Sequence, residues 1–206
     1  MLFGAPSIQA LIAGVIALLV GLTFHEFSHA LLADTLGDHR PRAMGRLTLN
    51  PIAHLDPIGA LLVVVAGFGW AKPVMVNPYA LRNGRMGMAI VAAAGPIANI
   101  VVAFAFAVAY RVLSIIALDD AGFVLGVVYL TVVINILLAI FNIIPIPPLD
   151  GYNVALAFLP PRQAMALRQY APYGVIVLLV LVFLPGSPLR LLLGMARPIA
   201  DILTGA

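Results

Sequence analysis

The sequence predicts an all-α polytopic membrane protein with about four to five transmembrane helices and a short membrane-associated β-hairpin-like element. Three observations carry that fold class. Of 206 residues, 63% are hydrophobic and 9% are charged, with a mean hydropathy of +1.11. Soluble domains carry roughly 25% charged residues, so the deficit excludes a water-soluble globule of this size. Apolar runs long enough to cross a bilayer, about 20 residues each, recur along the chain and are bounded by charges or prolines. No repeat or low-complexity stretch interrupts them, so 1–206 reads as a single membrane domain.

The first apolar segment, 8–33, ends at Asp34. It lacks the basic flank of a cleavable leader and is expected to be a retained span. The connection 34–86 is mixed. Within it, 60–69 is apolar but too short to span as a helix, and Trp70 to Pro78 carries prolines and β-branched residues. That composition suits an extended hairpin at the membrane surface, or else an ordinary amphipathic loop. Segments 87–110 and 121–144 are the second and third spans, the latter ended by Pro145, Pro147 and Pro148. C-terminal helices follow over 167–203: a fourth span from about 167 to 184, then 189–203, which suits an interfacial helix or a tilted final span.

Loop charge sets orientation. The 34–86 connection holds six Lys or Arg, whereas 111–120 holds Arg111 with Asp119 and Asp120. The first connection is therefore expected on the cytoplasmic side of a multi-pass cell-membrane protein. The net charge of +3 fits this bias. No basic run interleaved with aromatics points to nucleic acid.

One motif carries chemistry. Glu26 is the single glutamate of the chain, and it lies in His25-Glu26-Phe27-Ser28-His29. The spacing i, i+4 places both imidazoles on one helix face, about 6 Å apart along the axis. Two such nitrogens reach one Zn²⁺ at roughly 2.0–2.1 Å. Glu26, displaced around the helix, can act as general base toward a water without being a ligand. Ionisable groups inside a span are functional by default, although three polar residues could also be buried hydrogen-bonding groups.

A catalytic zinc takes three protein ligands. With no cysteine in the chain, the third must be His39, His54 or an aspartate. Asp34 and Asp38 follow the motif too closely to face back. Asp119 and Asp120 lie on the opposite side, and Asp201 is terminal. Asp56 and Asp150 remain. Asp150 closes Phe141-Asn142-Ile143-Ile144-Pro145-Ile146-Pro147-Pro148-Leu149-Asp150-Gly151, a proline-broken segment of the kind tolerated at membrane depth where it lines a cavity. A plain helix-terminating turn is the other reading.

These motifs, with Asn50-Pro51-Ile52-Ala53-His54-Leu55-Asp56-Pro57-Ile58-Gly59 and Gly95-Pro96-Ile97-Ala98-Asn99, together resemble the site-2 protease family of intramembrane zinc metalloproteases. The resemblance covers about 8–155, the expected catalytic core. It implies one zinc per chain, held by His25, His29 and Asp150, with Glu26 activating water. It implies that Asn142 steadies the oxyanion and that His54 lies near the site as a second electrophile. It also implies substrate contacts at Gly95, Asn99, Lys72 and Pro73, the last two within a strand pair over 69–78 that holds substrate by edge pairing. Close helix packing is the rival account of Gly95 and Asn99. No stretch matches the PDZ or nucleotide-binding domains of larger members, so selection is expected to come from the groove, that loop or a partner. The implied substrate is a transmembrane protein or peptide in the lipid bilayer. A membrane metal transporter would need permeation ligands along the helices, and a non-catalytic relative that binds membrane proteins would not need the intact motif.

Overall fold

A computed structural model of the chain describes residues 7–57, 59, 71–116 and 121–206. The apolar stretch 60–69, Trp70 of the expected hairpin, and Asp119 and Asp120 lie outside the described residues.

Helix α1 spans Ile8–Thr35, its N-terminus capped by Ser7, whose side chain accepts from the Ala10 amide. At 1.5 Å per residue it is about 42 Å long, more than a hydrocarbon core of about 30 Å. It is apolar nearly all round, but its buried stripe is specific. Ala13, Ala17, Gly21, His25, His29 and Ala33 are all buried at a spacing of four. Small residues therefore bring neighbouring helices close along the line that ends in the two histidines. One turn, α2 (Arg40–Ala43), and a 3₁₀ turn (Pro51–His54) follow.

Helix α3, Gly84–Ile116, contains Pro96 and buries Gly87, Val91, Gly95, Asn99, Ala103 and Ala107, again every fourth residue. Its other side exposes Ile97, Val101, Phe104, Val108, Val112 and Ile115. Large exposed aliphatics at helical spacing are what a lipid-facing surface requires. Helix α4, Gly122–Asn142, completes a three-helix core with α1 and α3. Its far half is sealed by an apolar cluster of Ala103, Ala107, Val132, Val133, Ile136, Ala196 and Ala200.

Helices α5 (Asp150–Phe158) and α6 (Pro161–Tyr170) follow. A 3₁₀ turn joins α6 to α7 (Gly174–Phe183), so that 161–183 forms the fourth span. Segment 189–203 does not cross as one helix. It folds into α8 (Pro188–Gly194) and α9 (Ala196–Thr204), with α9 packed on α3 and α4. There Arg111 donates to the carbonyls of Leu203 (2.7 Å) and Ile202 (3.0 Å), and Tyr129 donates to Asp201 (2.5 Å). A cation on the last carbonyls of a helix is a favourable C-terminal contact.

Among the described residues there are thus four helices long and apolar enough to cross a membrane. The hairpin is a correction. Among the described residues there is no sheet, and the expected element contributes one isolated antiparallel bridge, Leu55 to Ala71. Prolines at 73 and 78 remove backbone donors from the stretch, and a strand needs those donors for a ladder.

Candidate metal centre

The buried stripe of α1 delivers His25 and His29 against α3. Their rings lie edge to face, with planes at 87° and centroids 4.6 Å apart. The surface they meet is Gly95. A Cβ there would sit 2.5 Å from both His29 Nε2 and His25 Cε1, and 2.7 Å from His25 Nδ1. Only hydrogen fits, so glycine at this position is what permits both rings to lie between the helices.

Asp150 arrives from the other side. Helix α4 ends at Asn142, the chain turns through its prolines, and α5 begins at Asp150. Gly151 lets this first turn press on the carbonyl of Ile143, where any side chain would collide with backbone. Asp150 Oδ2 then lies 3.1 Å from His25 Nε2 and 3.2 Å from His29 Nε2, and the two Nε2 atoms are 3.1 Å apart. Tetrahedral zinc with bonds of 2.0–2.1 Å needs its ligand atoms about 3.3 Å apart. The triangle matches that requirement.

The proton inventory points the same way. His29 Nδ1 lies 2.8 Å from the Val91 carbonyl, which only accepts, so His29 Nδ1 carries the proton and donates. His25 Nδ1 lies 2.7 Å from Asn99 Oδ1. Asn99 uses its NH₂ on the Gly21 carbonyl (3.0 Å) and Asn135 Oδ1 (2.9 Å), so its oxygen faces His25, and His25 Nδ1 also donates. Both neutral rings then present bare Nε2 lone pairs to a carboxylate oxygen that is itself buried without a hydrogen-bond partner. Three lone pairs converging with no proton among them fit a cation, and a histidine whose other nitrogen donates to a fixed acceptor is the usual metal-ligand arrangement. Among the described residues, these three form the one group of His, Asp or Glu side chains that could hold a metal. Asp56 is not in it; its Oδ1 accepts from the Gly59 amide at 3.0 Å.

The centre opens on a cavity of about 240 Å³. Its polar lining is His25, Glu26, His29, Asn142, Asp150 and Asn153, and its apolar walls include Pro73, Val74, Val76, Met88 and Val91. Glu26 Oε2 accepts from the Val74 amide at 3.3 Å. The segment carrying Val74 is pinned at both ends. Lys72 N donates to the His54 carbonyl (2.9 Å), and Asn77 N donates to Asp38 Oδ2 (2.6 Å). Arg40, paired with Asp38 through two bonds of 2.9 Å, holds that carboxyl below its ordinary value of 3.8 against the opposing effect of burial.

The expected site residues therefore divide. His25, Glu26, His29, Asp150, Asn142 and Pro73 share the cavity. Asn142 sits at the end of α4 with its amide also donating to Leu138 O (3.0 Å). Gly95 and Asn99 do not line the cavity; Gly95 packs against both histidine rings and Asn99 bonds to His25. His54 is buried away from the lining, its Nε2 donating to the Thr48 carbonyl (2.8 Å); it and Lys72 shape the segment that covers Glu26. His39, a candidate third ligand by residue type, instead binds Asp34 Oδ1 (2.9 Å) at the end of α1. Sequence reasoning missed Asn153, Val74 and Asn135. Asn153 follows Asp150 by three residues and so shares its helix face, a signal present in the sequence. Val74 acts through its backbone and leaves none.

Comparison with known proteins agrees with this geometry. A family model described as "Peptidase family M50" matches residues 111–184. "Putative zinc metalloprotease YwhC" of Bacillus subtilis is 39% identical over 175 residues, covering 83% of this chain and 80% of that protein. "Putative zinc metalloprotease Rip2" of Mycolicibacterium smegmatis is 31% identical over 172 residues, and the Mycobacterium tuberculosis protein of the same name 32% over 175. Each of these two matches covers 81% of this chain and 65% of the relative. No solved structure matches.

Proposed function

The chain belongs to peptidase family M50 and is a zinc metalloprotease, and from that premise we propose that it hydrolyses peptide bonds of membrane-spanning proteins within the bilayer, near its cytoplasmic face. The observation that carries the reading is the position of the centre. His25, Glu26 and His29 lie on a helix of spanning length, and Asp150 follows another. His29 is five residues before Asp34, roughly 7–8 Å below that charged end. The six Lys or Arg of 34–86 support a cytoplasmic assignment for this end by the positive-inside rule.

His25, His29 and Asp150 hold the zinc, with Asn99 and the Val91 carbonyl fixing the ring tautomers. Bound there, zinc would supply a Lewis acid that polarises a carbonyl and lowers the pKa of water toward about 7. Glu26 is the general base: it takes a proton from the attacking water and returns it to the leaving amine. The Val74 amide holds one of its oxygens, and both residues line the cavity. Asn142 offers an amide N–H to the developing oxyanion, as preorganised donors do in acyl transfer. Pro73, Val74 and Val76 form a wall along which an extended substrate lies. The substrate helix must unwind first, because each helical carbonyl is already bonded to the amide four residues on. His54 and Lys72 act at one remove, by anchoring this wall.

The test is cleavage of a single-span substrate by the purified chain in lipid nanodiscs. Glu26→Gln should abolish product while zinc content stays at one ion per chain. Undiminished cleavage by that variant would remove Glu26 from the reaction.

A further inference from the structure

We propose that Asn135, whose side chain bonds to Asn99 and Thr131 and does not line the cavity, is a positioning residue for the zinc ligand His25 and acts through Asn99. The proposal rests on His25 being a zinc ligand.

Asn99, Asn135 and Thr131 are each 0% exposed. Four hydrogen bonds link them into one chain running from α4 to α1. Asn135 Nδ2 donates to the Thr131 carbonyl (2.8 Å), one turn back on its own helix. That carbonyl accepts only, so Asn135 must turn its Oδ1 outward. Asn135 Oδ1 accepts from Asn99 Nδ2 (2.9 Å), and the second N–H of that NH₂ goes to the Gly21 carbonyl (3.0 Å). With both donors used, Asn99 presents Oδ1 to His25 Nδ1 at 2.7 Å.

The order of contacts decides which nitrogen of His25 keeps its lone pair for the metal. A flipped Asn99 would offer its NH₂ to His25 Nδ1. The ring would then have to accept there and carry its proton on Nε2, where a metal ligand needs a lone pair. In the observed arrangement a flip would set Asn99 Oδ1 against two acceptor oxygens, Gly21 O and Asn135 Oδ1. Without Asn135 a single opposing oxygen remains, and one Asn99 N–H is left buried without a partner. Asn135 is thus the half of the clamp supplied by α4, as Gly21 is the half supplied by α1. Gly21 is itself confined: a Cβ there would lie 2.7 Å from Leu138 Cδ1 and 3.4 Å from both terminal atoms of Asn135. The three core helices therefore meet at this amide pair, and their packing is transmitted to the tautomer of one ring.

A plain helix-to-helix tie would predict lost stability with zinc binding intact. The measurement is zinc affinity by competition with a chromophoric chelator, on the full chain in nanodiscs, with thermal unfolding of the zinc-free and zinc-loaded forms. Asn135→Val should weaken zinc binding about tenfold, the lower end for residues behind a ligand, and shrink the zinc-induced rise in unfolding temperature. In an Asn99→Val background the same substitution should change affinity less than twofold, because its route to the ring is already cut. Asn135→Ala, which cannot overpack, takes the place of valine if that variant fails to fold. Zinc affinity within twofold of wild type, or an equal loss in both backgrounds, overturns the proposal. Failure of the wild-type chain to bind zinc would instead refute the ligand set.

Discussion

Replacing Gly95 by alanine adds one methyl group and tests the packing of the metal centre directly. That methyl would lie 2.5 Å from His29 Nε2 and from His25 Cε1. Favourable contacts between non-bonded heavy atoms are about 3.5–4.0 Å, so rings and helix must part by about 1 Å. Metal–ligand distances tolerate only about ±0.2 Å. The rings have little room to give way, because their Nδ1 atoms are held by Val91 O and Asn99 at 2.8 and 2.7 Å. On helix propensity alone, Gly→Ala inside a helix is favourable by about 1 kcal/mol, so the zinc-free protein should not be crippled by its backbone. We expect zinc affinity and turnover each to fall by roughly a hundredfold or more, the scale of a 1 Å misplacement in a catalytic site. Chelator competition measures the first and nanodisc cleavage of a single-span substrate the second. A Gly95→Ala protein that binds zinc as the wild type does would refute the reasoning, because the rings could not then be where the structure has them.

Further outcomes follow from the same geometry. Asn142→Ala should lower kcat by roughly 10²–10³, as loss of an oxyanion donor does, with KM changed little; steady-state kinetics on a quenched-fluorescence substrate checks the split. Asp38→Asn should loosen the segment that covers Glu26, since Asp38 accepts from Asn77 N. Its carboxyl is held below the ordinary 3.8 by Arg40, so its stabilising contribution is complete above that value and is lost as pH falls through the lowered one. The difference in unfolding temperature between wild type and Asp38→Asn should therefore be constant at neutral pH and shrink only below about pH 4. Asp150→Asn should remove the anionic ligand and, with it, stoichiometric zinc at nanomolar free metal, read by inductively coupled plasma mass spectrometry.

Much of this was legible in the sequence, for identifiable reasons. The expected spans 8–33, 87–110 and 121–144 fall on helices 8–35, 84–116 and 122–142, because lipid imposes both length and apolarity; the ends agree within three residues except that the second helix runs six further, to Ile116. His25, Glu26 and His29 are legible as candidates because the i, i+4 rule is local. Asp150 was reached by elimination and resemblance, since its approach depends on a turn whose geometry the residues do not display. What the sequence leaves open has one cause: it concerns what faces what. Gly95 and Asn99 form a small-polar stripe that fits a substrate groove as well as a packed interface, and only the position of the His25 ring separates the two. His54 is chemically able to act as an electrophile, but its ring is committed to the Thr48 carbonyl. Asn135 carries no signal of its own in the sequence, because its partner Asn99 is 36 positions away. The hairpin expectation rests on β-branched residues and prolines together, and the prolines fit an ordinary loop equally well.

The most direct test of the central claim is to map the cut. A single-span protein reconstituted with the chain in lipid should yield, by mass spectrometry of its fragments, a new terminus inside the apolar span in its cytoplasmic half, and none with Glu26→Gln. Cleavage confined to segments outside the bilayer, or an identical fragment from the Glu26→Gln protein, would contradict intramembrane hydrolysis by this site.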